Sequence, residues 1–156
     1  MIKILFVCHG NICRSPMAEY LFRDLLQKAG LEDCITVSSA ATSGEELGNP
    51  MHPWAVAKLR EHGVSPDKRR AVRLKKEDYS NYDLLIGMEK WNLSNMQRVL
   101  GPDTRKKVYR LLDFTSTPRD IDDPWYTGDF ESAYQDILAG CQGLLRYLQQ
   151  RPDWEN

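Results

Sequence analysis

Long hydrophobic runs are missing from this 156-residue sequence. The apolar stretch at the N-terminus is short, and Lys3 and the pair Cys8-His9 interrupt it, so we expect no signal peptide there. No other segment approaches the roughly twenty apolar residues that a membrane-spanning helix needs. The sequence therefore predicts a protein without a membrane partner.

A strong excess of one charge is also missing, and cysteines are few. The 21 Lys and Arg residues nearly balance 22 Asp and Glu residues, and the formal net charge is −1. Proteins dedicated to nucleic acids carry a basic surplus that neutralises phosphates, so we expect no nucleic-acid partner. Four cysteines without a secretory context indicate a reducing compartment, and we expect the protein in the cytoplasm.

The chain has no internal repeat, no low-complexity segment and no linker long enough to separate two domains. At this length one hydrophobic core buries roughly two thirds of the unfolded surface, which suffices without a disulfide or a structural metal. We therefore expect a single domain over residues 1–156.

Strand-like and helix-like segments alternate along this domain. The predicted strands are 2–7, 35–37, 83–87 and 108–112, and the predicted helices are 16–29, 53–62, 89–100 and 130–150. Such alternation predicts an α/β domain of three layers, in which a four-stranded parallel sheet lies between helices. Ligands of such sheets bind beyond the carboxyl ends of the strands.

The segment after the first predicted strand gives the clearest chemical signal. It reads Cys8-His9-Gly10-Asn11-Ile12-Cys13-Arg14-Ser15-Pro16. A helix N-terminus attracts anions and favours the thiolate form of a nearby cysteine, here Cys8. Gly10 and Asn11 tolerate the positive φ that a ring of inward-facing amides needs, and Arg14 can bind two phosphate oxygens at once. Ser15 is predicted to cap the following helix, and the segment predicts a site that holds an oxyanion against a sulfur nucleophile.

Three alternative interpretations of this loop are weaker. The spacing Cys-x5-Arg also arises by chance, from a core cysteine and a surface arginine, but the surrounding Gly-Asn and Ser-Pro argue against that reading. A nucleotide-binding loop needs Gly-x4-Gly-Lys-Ser/Thr, which is absent. A zinc site of Cys8, His9 and Cys13 lacks a fourth ligand at suitable spacing, and Arg14 would repel the ion.

Residues 8–19 resemble the signature of the low-molecular-weight protein tyrosine phosphatases. The similarity continues in order through Ser39–Gly44, Leu47–Pro50, Asp83–Met88 and Asp123–Tyr126. The resemblance implies a flavodoxin-like fold and hydrolysis of aryl phosphate monoesters, in phosphotyrosine-containing proteins or small molecules, through a phosphocysteine intermediate. Inorganic phosphate is the implied product, and no cofactor or metal is expected.

Departure of the aryl group from phosphorus needs a proton donor. A phenolate, with a pKa of about 10 for its phenol, leaves poorly near neutral pH unless an acid protonates it. Asp120, Asp122 and Asp123 compete by composition, and only Asp123 matches the family pattern Asp-Pro-aromatic-aromatic. The resemblance implies that Asp123 is the general acid of the first step and the base of the second.

The resemblance also implies the other site residues. Cys8 is the nucleophile, Arg14 binds the phosphate, Ser15 donates a hydrogen bond to the sulfur, and Asn11 braces the loop. The phosphate-binding loop comprises His9, Gly10, Asn11, Ile12, Cys13 and Ser15, and the walls of the substrate slot are Glu45, Trp125 and Tyr126. Trp125 and Tyr126 are alternatively core aromatics.

Several positions depart from the family pattern. His9 occupies a place that is often apolar, and Glu45 stands where an aromatic wall residue is common. Lys68-Arg69-Arg70 replaces the region where a histidine often supports the loop asparagine, and Glu89 replaces a commoner aspartate. We expect these changes to affect the substrate range and not the type of reaction.

Some interpretations stay open at this point. Cys13 has either no further role or, as the resemblance implies, forms a redox-sensitive disulfide with Cys8 under peroxide. The basic segment 68–76 is either a solvated loop or a docking patch for acidic partners. Tyr126 is a family-based candidate for phosphorylation.

Alternative functions can also be weighed from the residues. A protein-arginine phosphatase is the main rival, and the bulky apolar Ile12 favours an aryl ring over a guanidinium. An arsenate reductase on the same scaffold would need two cysteines near residues 80–90, which the sequence lacks. A module that only binds phosphotyrosine would need neither Cys8 nor Asp123.

Overall fold

The computed structural model describes residues 1–151, so residues 152–156 of the predicted domain lie outside the described part. Its strands are β1 (Ile2–Cys8), β2 (Ile35–Ala41), β3 (Leu84–Gly87) and β4 (Val108–Arg110). Its α-helices are α1 (Arg14–Lys28), α2 (Pro53–Glu61), α3 (Asp78–Asn81), α4 (Lys90–Leu100), α5 (Pro124–Thr127) and α6 (Phe130–Gln149), and a 3-10 turn covers Leu111–Phe114.

The four strands form one parallel sheet in the order β2-β1-β3-β4. Because the strands run in the same direction, their carboxyl ends meet at one edge, where Cys8 is the last residue of β1. The predicted fold class, a parallel α/β sheet flanked by helices, is confirmed.

The central strand β1 is buried on both faces, which explains its continuous apolar sequence. Ile4 and Phe6 belong to the larger core cluster, which includes residues of α1 and α6. Leu5 and Val7 point to the other face, where a smaller cluster includes residues of α4. Alternate side chains of β1 therefore contribute to the two hydrophobic clusters, one on each face of the sheet.

Three predicted element boundaries differ from the structure by two residues or more. Strand β2 extends to Ala41, beyond the predicted end at residue 37, because its small and polar residues pair with β1 as far as Cys8. The predicted strand 108–112 stops at Arg110, and the chain enters the 3-10 turn. Helix α1 begins at Arg14, two residues before the predicted start.

The prediction that Ser15 caps helix α1 is wrong. The N-cap position is Cys13, and no side chain caps this end of the helix. Ser15 lies inside the first turn, where its hydroxyl contacts Cys8 and Asn11 instead. Among residues 1–151, no helix combines the length and the hydropathy that a bilayer-spanning helix requires.

Helix α6 packs so closely on the 3-10 turn that Gly143 has no room for a side chain. A Cβ atom there would lie 2.2 Å from the carbonyl oxygen of Phe114, and backbone cannot move aside as a flexible side chain can. We expect Gly143→Ala to lower the free energy of unfolding by about 1–3 kcal/mol, although alanine has the higher helix propensity. Urea unfolding measures the change, and Gln142→Ala on the exposed face is the control. An unchanged or raised stability of Gly143→Ala would contradict the close packing.

Candidate active site

The loop between β1 and α1 surrounds the sulfur of Cys8 with hydrogen-bond donors. The backbone amides of Asn11 and Ser15 donate to Sγ at 3.3 and 3.4 Å. The hydroxyl of Ser15 lies 3.0 Å from the same sulfur. The sulfur therefore lies at the positive ends of two backbone N–H dipoles and within hydrogen-bond distance of a hydroxyl.

Asn11 stabilises the conformation of this loop through its buried backbone and side chain. It is fully buried and has a φ of 58°, a left-handed conformation that asparagine tolerates better than most residues. Its Nδ2 donates to Ser15 Oγ at 2.8 Å and to Ser39 Oγ at 2.9 Å, and its Oδ1 accepts from the amide of Val72 at 3.1 Å. Because the Ser15 oxygen accepts from Asn11, its own hydrogen is free to donate to Cys8.

Arg69 fixes the orientation of Asn11. Its Nη1 donates to the carbonyl oxygen of Asn11 at 2.7 Å, and its Nη2 donates to Asn11 Oδ1. Ser39, which accepts from Asn11, donates in turn to the buried carboxylate of Glu19 at 2.5 Å. The hydrogen bonds therefore start at the Arg69 cation and divide at the side-chain amide of Asn11. The branch through Ser39 ends at the Glu19 carboxylate, and the branch through Ser15 ends at the Cys8 sulfur.

The guanidinium of Arg14 is buried beside two carboxylates. Its Nη1 donates to Glu89 Oε2 at 2.6 Å and to the carbonyl of Ile121 at 2.7 Å, and its Nη2 lies 3.3 Å from Asp123 Oδ2. Burial opposes the charge, but the neighbouring Cys8, Asp123 and Glu89 raise the pKa of Arg14 above its ordinary value. The cation is therefore held in one orientation at the side of the loop.

Asp123 lies opposite the loop at the start of helix α5. Its Oδ1 accepts from the amide of Trp125 at 3.0 Å, which caps the helix, and its Oδ2 faces Arg14. Asp120 instead accepts from the amide of Lys90 at 2.9 Å, and Asp122 is exposed. Of these three aspartates, Asp123 alone is among the described residues that line the cavity over Cys8.

Most of the predicted site residues line the cavity over Cys8. The residues lining it are Cys8, His9, Gly10, Ile12, Cys13, Arg14, Glu45, Glu46, Asp123, Trp125 and Tyr126. Asn11 and Ser15 lie beneath its floor. Trp125 and Tyr126 are 56% and 76% exposed, which agrees with slot walls and not with core aromatics.

Comparison with known proteins identifies the family. The sequence profile of the low molecular weight phosphotyrosine protein phosphatases matches residues 3–153. This chain belongs to that family. The predicted family and enzyme class, a phosphoric monoester hydrolase, are confirmed.

Individual relatives agree with this assignment. The low molecular weight protein-tyrosine-phosphatase YfkJ of Bacillus subtilis is 42% identical over 152 residues, which are 96% of this chain and 97% of the relative. The crystal structure of YfkJ gives a TM-score of 0.94 over 98% of each chain. Vibrio vulnificus Wzb in complex with benzylphosphonate gives 0.81 at 30% identity, over 94% of this chain and 98% of Wzb. The drosophila arginine phosphatase DARP gives 0.84 at 29% identity, over 97% of this chain and 100% of DARP.

Several contacts in the phosphatase were not predicted from the sequence. Arg69 was placed only in a basic cluster, and the replaced histidine was the signal that could have identified it as the partner of Asn11. Glu46 was missed as a lining residue. His9 Nε2 lies within hydrogen-bond distance of Glu45 Oε2, at 3.2 Å, and the His9 ring stacks on Trp91 with ring centroids 5.0 Å apart. Nothing in the sequence pattern indicates the stacking.

The cysteines of the phosphatase differ in environment. All four are free thiols, and Cys34 is exposed whereas Cys8, Cys13 and Cys141 are buried. Burial, together with the nearby Cys8, raises the pKa of the Cys13 thiol far above its ordinary value, so Cys13 stays protonated at neutral pH. The disulfide between Cys8 and Cys13 that the resemblance implies stays a prediction.

One surface group within residues 1–151 has the composition of a metal site. Glu61, His62 and Glu131 place their ligand atoms within 4.8 Å of one another, but all three are exposed and lie outside the cavity over Cys8. Lys58 forms ion pairs with both Glu61 and Glu131, at 2.9 and 3.6 Å, and so offsets part of their negative charge.

Arg69 acts on the sulfur only through Asn11, which makes it a positioning residue. We expect Arg69→Lys to lower kcat for p-nitrophenyl phosphate about tenfold or more, because lysine cannot donate to both Asn11 oxygens and a charge-assisted hydrogen bond contributes about 1.5–3 kcal/mol. Arg70→Lys is the matched control, since Arg70 donates only to the carbonyl of Gly48 at 2.8 Å. Steady-state kinetics measure both variants, with circular dichroism as a check of folding. Equal kcat values for the two would show that Arg69 does not position the loop.

Proposed function

We propose that this phosphatase hydrolyses phosphotyrosine in proteins through a phosphocysteine intermediate, with Cys8 as nucleophile, Arg14 as phosphate ligand and Asp123 as general acid and base. The observation that supports this most is the meeting of these three side chains in one cavity whose mouth carries two aromatic rings. The four free cysteines and the need for a thiolate nucleophile support a cytoplasmic location.

In the first step the thiolate of Cys8 attacks phosphorus in line with the tyrosyl oxygen. The S–P bond forms as the P–O bond to the aryl ring breaks, and the carboxyl group of Asp123 gives its proton to the departing phenolate. The guanidinium of Arg14 and the loop amides bind the equatorial oxygens, where negative charge is concentrated.

In the second step water hydrolyses the phosphocysteine. The carboxylate of Asp123 accepts a proton from water as the water oxygen attacks phosphorus, and the S–P bond breaks. Cys8 leaves as a thiolate that the Ser15 hydroxyl and the amides stabilise, and inorganic phosphate is released. Arg14 and the backbone supply the positive charge that a metal ion provides in other phosphoryl-transfer enzymes, so the proposal requires no cofactor.

The shape of the cavity supports an aryl phosphate as substrate. Trp125 and Tyr126 stand beside Asp123, and the apolar side chain of Ile12 also lines the cavity, so a flat ring would have apolar contacts. The relative Wzb was crystallised with benzylphosphonate, which has a phenyl ring one carbon away from phosphorus. Phosphoarginine remains the second candidate, because the arginine phosphatase DARP shares the fold.

The role of Asp123 can be tested through the leaving group. We expect Asp123→Asn to lower kcat for phosphotyrosine roughly 10²–10⁴-fold, because its phenolate needs a proton, and to lower kcat much less for 2,4-dinitrophenyl phosphate. Asp122→Asn, one residue away and exposed, is the control and should retain activity on both substrates. Equal losses for the two substrates in Asp123→Asn would rule out a proton-donating role.

The role of Cys8 as nucleophile is tested by Cys8→Ser. This variant should lose turnover of both substrates while still binding phosphate.

The substrate class is tested by comparing two phosphopeptides of the same sequence, one with phosphotyrosine and one with phosphoarginine. We expect kcat/KM to be higher for phosphotyrosine by roughly 10–200-fold, the discrimination that apolar pocket contacts supply. Ile12→Thr should reduce this preference because it removes apolar contact with the ring. A higher kcat/KM for phosphoarginine would instead favour the arginine phosphatase.

A further inference from the structure

A surface groove with basic residues along its rim lies next to the active site. Its floor is formed by the apolar residues Pro50, Met51, Val56 and Pro66, and its rim carries Arg60, Lys68 and Arg70. We refer to these seven residues as the basic groove, and Asp67, Arg69 and Val72 also line the depression. None of them lines the cavity over Cys8.

Two contacts connect the basic groove to the phosphate-binding loop. Met51 in its floor precedes His52, whose backbone amide donates to the carbonyl of Ile12 at 2.9 Å. Arg69, which also lines this depression, donates to the carbonyl of Asn11 at 2.7 Å. The groove and the cavity are therefore both built on the phosphate-binding loop.

The rim has more cations than carboxylates, because Asp67 is the one acidic residue among the described residues that line the depression. Arg60 and Lys68 are exposed and make no side-chain hydrogen bond or ion pair with any residue in the range 1–151, and Arg70 donates only to a backbone carbonyl. Other arginines behave differently: Arg110 and Arg119, for example, both pair with aspartates. A row of unpaired cations beside an apolar floor is complementary to a segment that has both carboxylates and aliphatic side chains.

We propose that the basic groove is a docking site for an acidic, aliphatic segment of the phosphotyrosine protein that occupies the active site. This inference rests on the proposed function, because it assigns the groove to the same substrate. Glu45 and Glu46 at the mouth of the cavity repel carboxylates directly beside the phosphotyrosine, so the acidic residues lie further along the chain. None of the described residues lining the groove is aromatic, which disfavours single-stranded nucleic acid because its bases stack on aromatic rings.

The test uses phosphotyrosine peptides that differ only beyond a Gly-Ser linker. One carries a segment of alternating Glu and Leu, a second carries Lys and Leu, and a third ends after the linker, and the linker length is varied. We expect the acidic peptide to have a KM roughly tenfold lower than the short one, with a similar kcat, as three exposed ion pairs would give. The gain should shrink as the salt concentration rises.

A matched pair of double variants locates the effect. Arg60→Glu with Lys68→Glu reverses two rim charges and should abolish the gain for the acidic peptide. Arg98→Glu with Arg105→Glu makes the same change of net charge at exposed positions outside the groove and should preserve it. Turnover of p-nitrophenyl phosphate should be unchanged in both, which also reports that the active site is folded.

Direct binding separates the docking proposal from the proposed function. The acidic segment without phosphate, labelled for fluorescence anisotropy, should bind the parent enzyme and the Arg98/Arg105 variant but not the Arg60/Lys68 variant. If both variants bind it equally, docking at the groove is wrong even when phosphotyrosine is hydrolysed. If no phosphotyrosine peptide is hydrolysed but groove-dependent binding persists, the proposed function fails and docking stands. Groove-dependent binding of oligo-dT in place of the peptide would overturn the proposal in favour of nucleic acid.

Discussion

The hydrogen bonds of Asn11 are the constraint on which the rest of the active site depends. Hydrogen-bond donors converge on the Cys8 sulfur at the end of a buried strand because Asn11 adopts a positive φ. Its side chain then links the Ser15 hydroxyl to Ser39 and to the guanidinium of Arg69. Since the whole residue is buried, any unpaired polar atom there would be costly, which locks the loop in one arrangement before a substrate arrives.

The contacts of the buried Arg14 guanidinium are a second constraint on the active site. A buried guanidinium without partners would be strongly unfavourable, and Glu89, Asp123 and the backbone of Ile121 supply its acceptors. In the proposed mechanism a phosphate group adds oxygens to the same cation, while Asp123 serves as proton donor. One ion-pair network thus positions both the phosphate ligand and the acid, which ties the stability of the site to its chemistry.

Contiguous segments were predicted well, and contacts between distant segments were not. Strand β1 and the following loop were recognised because apolar burial, turn residues and the spacing of Cys8 and Arg14 are local properties. Strand β2 was predicted too short, since its residues after Val37 are strands only through pairing with β1. Local propensity assigned Ser15 to a helix cap, which is wrong, whereas the resemblance placed its hydroxyl at the sulfur, where the structure has it.

The sequence by itself determined the family, the parallel α/β fold and the presence of a cysteine and an arginine in one loop, because residues 8–16 are consecutive and fix their own spacing. The tertiary structure decided which distant residues support that loop. Arg69 and Glu89 reach it from positions 58 and 75 residues away from their partners. Composition alone offers several arginines and carboxylates for these places, and only the packing of helices on the sheet selects which of them is close enough to form the bond.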